Sequence, residues 1–459
     1  MSLPKVLGAI AVLACSYPAF SIDINVPNDY ATIQGAIDAS VSGDAILVDS
    51  GTYSEIIDFL GKDITVTSVN GASNTIIDGS STTGSVVSFI TGETATVVLD
   101  GFTIQGGFAA NGPGVVIIAS FPTIRNCLVT GNQSTSNGGA IFVDTGRIQL
   151  ENVVIEANIS ANSGGALYMK FSGGSITGGS MLNNLAVNGG AIYVKSGSSE
   201  LTLSGVTIQG NSVSASGGGV FATTSQLTVS NCTFDLNSSN RGGGWFSWSS
   251  GNATISDCSF TGNSAADLGG AADIRSSTVS FTRCTFDSNI ADSDCDTVGG
   301  GGLLDNTNGI VTLEDPTICN NLLCDVESNY SGDAPIFVGD IFDCSLTGTG
   351  ACCGGDACWE MSSVDCSNGG GAWNGDGTLC VDVTCVGGGG ETTGACCVGA
   401  DCVQATETSC VDAGGVFYGS SVTCIATNCP AGCAEDINGD GIVNVNDLLA
   451  LIGAWGMCP

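Results

Sequence analysis

The chain has 459 residues, of which 69 are Gly, 23 are Cys and none is His, and its formal net charge is −35. Only nine residues are Lys or Arg, none of them beyond Arg283, so a phosphate backbone would find no basic surface and nucleic acid is excluded as a partner. Without His, Ser-His-Asp and Cys-His catalysis are excluded and the usual zinc ligand is missing; the carboxylates that remain suit calcium or glycoside chemistry.

Residues 1–21 read as a secretory signal: Lys5, an apolar run from Val6 to Ala14, and Ala19-Phe20-Ser21 as the cleavage point. Val12-Leu13-Ala14-Cys15 is also a loose lipobox, the alternative signal type. No later apolar stretch reaches the roughly 18–20 residues that a membrane helix needs. Export to the cell surface or beyond implies an oxidising compartment, in which the 22 cysteines after Cys15 are expected to supply disulfides.

Residues 22–345 form the next unit. Thr32 to Ala39 reads as a short amphipathic helix with Thr32 near its N-cap, followed by strands at Ile64–Thr67, Thr75–Ile77, Val86–Phe89 and Val97–Leu99. From about Asn126 to Asn321 one phrase then returns roughly every 26 residues: a short apolar strand, an asparagine, and a Gly-Gly pair before a small apolar residue. The asparagines fall at 132, 158, 184, 211, 237, 263 and 289, and Gly-Gly begins at 138, 164, 189, 217, 242, 269 and 300. A fixed period means one stacked unit that cannot bury its apolar face alone. Stacked about 4.8 Å apart, the asparagines become a ladder of side-chain amides with a structural role. Cys127, Cys232, Cys258 and Cys284 share one inward column as small buried thiols.

The opening helix and strands resemble right-handed parallel β-helix proteins of the pectin-lyase-like superfamily, in which a short helix plugs the first coil. The Phe-x-x-Asn and Gly-Gly-Ala-Ile phrases resemble the repeats of the polymorphic outer membrane proteins, also β-helical. That family's membrane barrel has no counterpart in this sequence, so its secretion route is not carried over. The expected fold is all-β: a right-handed parallel β-helix solenoid, followed by small disulfide-rich modules and a short calcium-loop tail.

Alternation assigns candidate functional residues to the outward faces. Phe142, Tyr168, Tyr193, Phe221 and Phe246 form one column, and two residues later come Asp144, Lys170, Lys195, Thr223, Trp248, Arg275 and Asn306. Aromatic rings beside cations can stack sugars and pair acidic glycan groups; the plainer reading is a ladder that stiffens a sheet. Tyr168, Lys170, Tyr193, Lys195, Phe246, Trp248 and Arg275 are the candidates for a glycan or partner surface. A second column runs Thr130, Glu156, Leu182, Gln209, Asp235, Thr261, Asp287. Asp235 and Asp287 would stand roughly 9–10 Å apart, near the upper limit for an inverting glycosidase pair. The catalytic phrases of polygalacturonases and pectin methylesterases are missing, so these two are weak catalytic candidates. The loop Asp292-Ser293-Asp294-Cys295-Asp296 breaks the period and offers alternate carboxylates to a hard cation.

Residues 346–390 and 391–430 repeat one cysteine spacing: Cys352, Cys353, Cys358, Cys366, Cys380, Cys385, then Cys396, Cys397, Cys402, Cys410, Cys424, Cys429. Each is a module too small to fold on an apolar core, with three disulfides expected and the connectivity open.

Residues 431–459 contain Asp436-Ile437-Asn438-Gly439-Asp440-Gly441-Ile442-Val443-Asn444-Val445-Asn446-Asp447, which fits a calcium loop of EF-hand type. Asp436, Asn438 and Asp440 supply side chains, Ile442 a carbonyl, Asn444 a water-mediated ligand and Asp447 the closing carboxylate. With the Leu-Leu helix after it, this loop resembles one half of a type I dockerin. That resemblance implies a calcium-dependent anchor with a cohesin-like or sorting partner. Dockerins carry two such repeats and this chain carries one. Two functions follow as expectations. One is an exported, non-catalytic rod that binds polysaccharide, a cell-surface glycan or another surface partner. The other is a polysaccharide lyase or glycoside hydrolase recruited by its tail.

Overall fold

The computed structural model describes residues 21–343 except 196, 198–199, 294–299, 324–325, 328–329 and 340–341, and in the C-terminal part 349–354, 357–362, 372–373, 394–398, 401–405, 410–411 and 416–420. Its contacts divide the chain into two units, Met1–Ser345 and Leu346–Pro459. The first is a right-handed parallel β-solenoid of about 12 turns.

A single coil shows how the repeat folds. Leu128–Thr130 lies in a 12-stranded sheet, Gln133–Asn137 in a 10-stranded sheet, and Ile141–Asp144 and Arg147–Glu151 in a 22-stranded sheet. The corners between these strands are tight because the chain adopts positive φ at Gly131, Gly138, Thr145 and Asn152. Gly164 shows why glycine recurs at one corner. Its φ is +71°, and a Cβ there would lie 2.5 Å from the Leu167 carbonyl oxygen.

Successive coils pair in parallel and in register. Val129, Ile155, Met181, Ile208, Phe234, Phe260 and Phe286 stand one above the other, all sealed in the core. The Phe234 and Phe260 rings stack 4.4 Å apart and those of Phe260 and Phe286 5.2 Å apart. Each buried Phe contributes about 2–3 kcal/mol of transfer free energy. At the N-terminal end a helix, Ile33–Ala39, is capped by the Thr32 hydroxyl, which accepts from the Gly35 N–H, and by the Glu55 carboxylate, which accepts from the Ile33 and Gln34 N–H groups. Ile33, Ala36 and Ile37 join the core and cover its first coil.

The asparagine ladder is complete and one rung longer than the expected seven, with Asn321 as its last member. In each rung from Asn132 to Asn289 the Nδ2 donates to the next asparagine's Oδ1 and to a backbone carbonyl of the coil before, while the backbone N–H donates to that same Oδ1. Every polar atom of these buried amides is thereby satisfied. The inward cysteines Cys127, Cys232, Cys258 and Cys284 are buried free thiols, and burial pushes the Cys127 thiol up to about 12.

Two register expectations are corrected. The Gly pair of the coil after the 292–299 insertion is Gly301-Gly302: Gly302, not Gly301, stands above Gly270. The column containing Arg275 therefore continues to Thr307, and Asn306 instead pairs with Ile274. Asn306 is buried and donates to the carbonyls of Gly309 and Asp333. The extra residues of the insertion move the phase by one.

In the second unit, Thr349–Gly354, Ala357–Ser362 and Ala372–Trp373 form a three-stranded antiparallel sheet with the first strand central. Gly394–Val398, Asp401–Ala405 and Val416–Ser420 repeat it. Cys396 is bonded to Cys410, and Cys352 and Cys353 are also disulfide-bonded, as is Cys319 of the first unit. The calcium-loop residues Asp436, Asn438, Asp440, Ile442, Asn444 and Asp447 lie outside the described residues, as do the signal residues 1–20 and Asp294 and Asp296 of the acidic loop.

The ladder's weight is measurable. Asn211→Ala strips an acceptor from the Asn184 N–H and Nδ2 and a donor from Asn237 and the Met181 carbonyl. With about 1–3 kcal/mol for each buried group left unsatisfied, denaturant unfolding should show a loss of about 3 kcal/mol or more. Thr233→Ala, on an exposed strand position, should change stability by less than about 0.5 kcal/mol.

Candidate ligand-binding groove

The corner between the 10-stranded and 22-stranded sheets is concave on the outside of the solenoid. Its positive-φ glycines bring the incoming strand against the base of the aromatic side chains: a Cβ on Gly164 would lie 2.9 Å from the Cβ of Tyr168. Phe142, Tyr168, Tyr193, Phe221 and Phe246 pair in register along this corner, outside the core. Their centroids are 5.3, 5.3, 4.7 and 4.8 Å apart in succession. The rings stand outside the core cluster, but the corner covers them: all except Tyr193 are buried, and Tyr193 is half-buried. Burial pushes the Tyr193 phenol up to about 12, helped by Tyr168, and raises Tyr168 as well.

The ladder thus has two parts. Phe142 and Tyr168 brace the corner. Further along, Tyr193, Phe221 and Phe246 form one wall of a cavity of about 360 Å³, with Asn188, Ser216 and Arg241 from the corner strands opposite and Trp248 and Arg275 at the rim. Trp248 is 55 % exposed. Lys170 and Lys195 continue the outward column that contains Trp248 and Arg275. Lys170 reaches Asp144 at 3.5 Å and lies over the Phe171 ring, outside the cavity lining.

One coil beyond Phe246 the aromatic column turns acidic. Asp273 pairs with Phe246, and Asp305 with Asp273. The Arg275 Nε donates to both Asp273 oxygens at 2.9 and 3.0 Å, and one terminal nitrogen reaches Asp305 at 3.4 Å. Asp305 also accepts from the Ser331 hydroxyl. Arg241 stands 3.5 Å from Asp267. The Asp273 side chain is 0 % exposed, against 22 % for Arg275. Burial pushes the Asp273 carboxyl up to about 7 against the opposing pull of Arg275.

Asp273, Asp305 and Arg241 were not among the sequence candidates. The two aspartates stand four residues after the Gly-Gly pairs, in the phase occupied by aromatics elsewhere, so the signal was there as a change of residue type within a column. Arg241 comes from a different strand, and only the corner brings it near. Asp235 and Asp287 do stand two coils apart with Thr261 between them, on the 12-stranded sheet and away from the cavity lining. Asp235 accepts from the Gln209 amide at 2.6 Å, and Asp287 from the Asn320 amide at 3.0 Å. Among the described residues no group of carboxylates and cysteines is arranged to hold a metal ion.

Comparison with known proteins agrees with this architecture. The right handed beta helix region family matches residues 113–286 and 165–342, together half of the chain. The chain belongs to that family. No curated protein matches its sequence. Among solved structures, it is similar to the catalytic unit of the thermostable GH87 alpha-1,3-glucanase of Streptomyces thermodiastaticus strain HF3-3, with 13 % identity, TM-score 0.39, and 72 % of this chain and 70 % of that one covered. Carrot pectin methylesterase also aligns, with 13 % identity, TM-score 0.33 and coverage of 53 % and 83 %. So does PfbA, a surface adhesin of Streptococcus pneumoniae, with 13 % identity, TM-score 0.28 and coverage of 69 % and 93 %. No helix among the described residues is long and apolar enough to cross a membrane.

The buried carboxyl has a consequence for stability. Folded Asp273 keeps its proton up to a pH of about 7, whereas an unfolded aspartate loses it near its ordinary value of 3.8. The folded state therefore binds more protons between those values, and Asp273 contributes stability that is full below pH about 4 and lost as pH rises through about 7. Between pH 4.5 and 8, wild type should lose about 2–4 kcal/mol relative to Asp273→Asn. Parallel denaturant titrations at several pH values give this difference; equal pH profiles for the two proteins would refute it.

Proposed function

We propose that the protein is an exported, non-catalytic β-helix rod that binds glycan in the groove beside its aromatic ladder and is anchored by its calcium-loop tail. One observation carries the binding reading: aromatic rings, an exposed indole and two guanidinium groups line one cavity parallel to the solenoid axis. Rings and an indole suit the apolar faces of sugars, and guanidinium and amide groups suit their hydroxyls and carboxylates. The sealed position of Asp273 favours binding over catalysis, since a carboxyl with no exposed surface does not meet a substrate.

Trp248→Ala should weaken binding to a polysaccharide panel about tenfold, the equivalent of about 1.4 kcal/mol, with Thr233→Ala unchanged. Titration calorimetry measures this, and equal affinities for wild type and Trp248→Ala would remove the groove from the reading. The same panel is assayed for reducing ends and unsaturated products; their release would favour the lyase or hydrolase alternative.

For the tail we propose calcium as the ligand of Asp436, Asn438, Asp440, Ile442, Asn444 and Asp447, supported by their spacing and by the glycine at 441. A cohesin-like or sorting partner would then recognise the loaded tail. Calorimetry should show calcium binding that Asp436→Ala and Asp440→Ala each abolish. Binding that survives both changes would overturn the assignment.

A further inference from the structure

The groove contains a charge arrangement that glycan stacking does not require. Among the described residues, Arg275 bonds Asp273 through its Nε and Asp305 through one terminal nitrogen, which leaves the other terminal nitrogen without an acceptor. Arg241, 41 % exposed, has only a long contact to Asp267 and makes no side-chain hydrogen bond. Both line the same cavity, beside Phe246 and Trp248. Spare guanidinium donors beside stacking rings fit a sugar that bears a carboxylate.

Resting on the glycan-binding reading, we propose that the groove takes an acidic, uronate-type sugar whose carboxylate replaces Asp273 as the partner of Arg275, and that Asp273 takes up a proton as the ligand binds. The balance is simple: the ligand arrives ionised, Asp273 gains one proton from solvent, and no covalent bond changes. The groups facing Asp273 explain the coupling. On its own strand Arg275 holds it, and Asp267 lies on the corner strand of the same coil; on the coil before are the apolar Phe246 ring and, across the corner, Arg241, the partner of Asp267; on the coil after is Asp305. With all of these ionised, three carboxylates face two guanidinium groups. A fourth carboxylate entering the groove raises the cost of keeping Asp273 charged, because Asp273 alone among them has no exposed surface through which water could solvate it. Its ready protonation near neutral pH agrees with that role.

The test is calorimetric titration of the full chain with an oligoglucuronic acid tetramer and with the same tetramer after reduction of its carboxyl groups to alcohols. Measurements run from pH 5.5 to 8.5 in buffers of different ionisation enthalpy. Affinity for the acidic tetramer should fall about tenfold per pH unit above pH 7, with uptake approaching one proton per site. Asp273→Asn should bind it with neither the proton uptake nor the slope, and the reduced tetramer should show neither in wild type. Binding of the acidic tetramer without proton uptake, or the same slope in Asp273→Asn, overturns the inference and leaves glycan binding standing. Binding of neither tetramer at any pH overturns the inference, and the polysaccharide panel with Trp248→Ala decides the glycan-binding reading separately.

Discussion

The structure depends on in-register stacking, and the buried asparagine ladder is what enforces it. Each amide is tied to the coil before and the coil after, so a coil shifted by one residue would strand buried donors and acceptors along the whole axis. Hydrophobic burial alone does not set this register, since Val129, Ile155 and Met181 are interchangeable apolar fillers. A polar contact that is strong only when complete makes the alignment specific. The positive-φ corners then follow, because a coil whose ends must meet the same amide can turn only at fixed positions.

Register converts sequence spacing into surface geometry. Any outward position repeated each coil becomes a column with about 4.8 Å between members, and chemistry written along a column is automatically contiguous. The aromatic column shows it: five rings in line, then Asp273 and Asp305. A chain of net charge −35 has few cations, yet four of its nine lie on the two strand rows that flank this corner: Lys170, Lys195, Arg241 and Arg275. Lys170 and Arg241 have partly exposed, long ion pairs, worth at most about 1 kcal/mol each, and Lys170 also lies over the Phe171 ring. Their placement adds little to folding, which is the physical reason to look for a ligand.

Much of this was legible in the sequence, and the part that was not has identifiable causes. Spacing and alternation reveal the solenoid, the ladder from Asn132 to Asn289, the Thr32 cap and the inward thiols, because each depends only on local order along the chain. Alternation also assigns Phe142 to Phe246 to the outside. It says nothing about whether a neighbouring strand folds over that outside, so the burial of Phe142 and Tyr168 required the corner itself. The insertion at 292–299 displaced the count by one and put Asn306 on the surface, where pairing places Thr307. Arg241 entered no column, since its neighbours in the groove come from strands on the other side of a turn.

The most informative residue is the one that departs from its column. Asp273 stands where five coils place an aromatic ring, and it keeps the ring's burial without the ring's apolar character. A buried position beside Phe246 would favour another Phe by about 2–3 kcal/mol; a carboxyl there costs stability unless Arg275 compensates it. Arg275 compensates in part, for the carboxyl still holds its proton to a pH of about 7. A partly compensated buried acid beside a solvent-accessible guanidinium can change its charge when a competitor for that guanidinium arrives. A fully buried ion pair cannot, and neither can an exposed one. Asp305 on the next coil narrows the choice further, because a second carboxylate on the same arginine adds to the cost of charging Asp273. The end of the ladder therefore has the properties of a proton-coupled contact, whereas Phe142 and Tyr168 at its start have those of a brace.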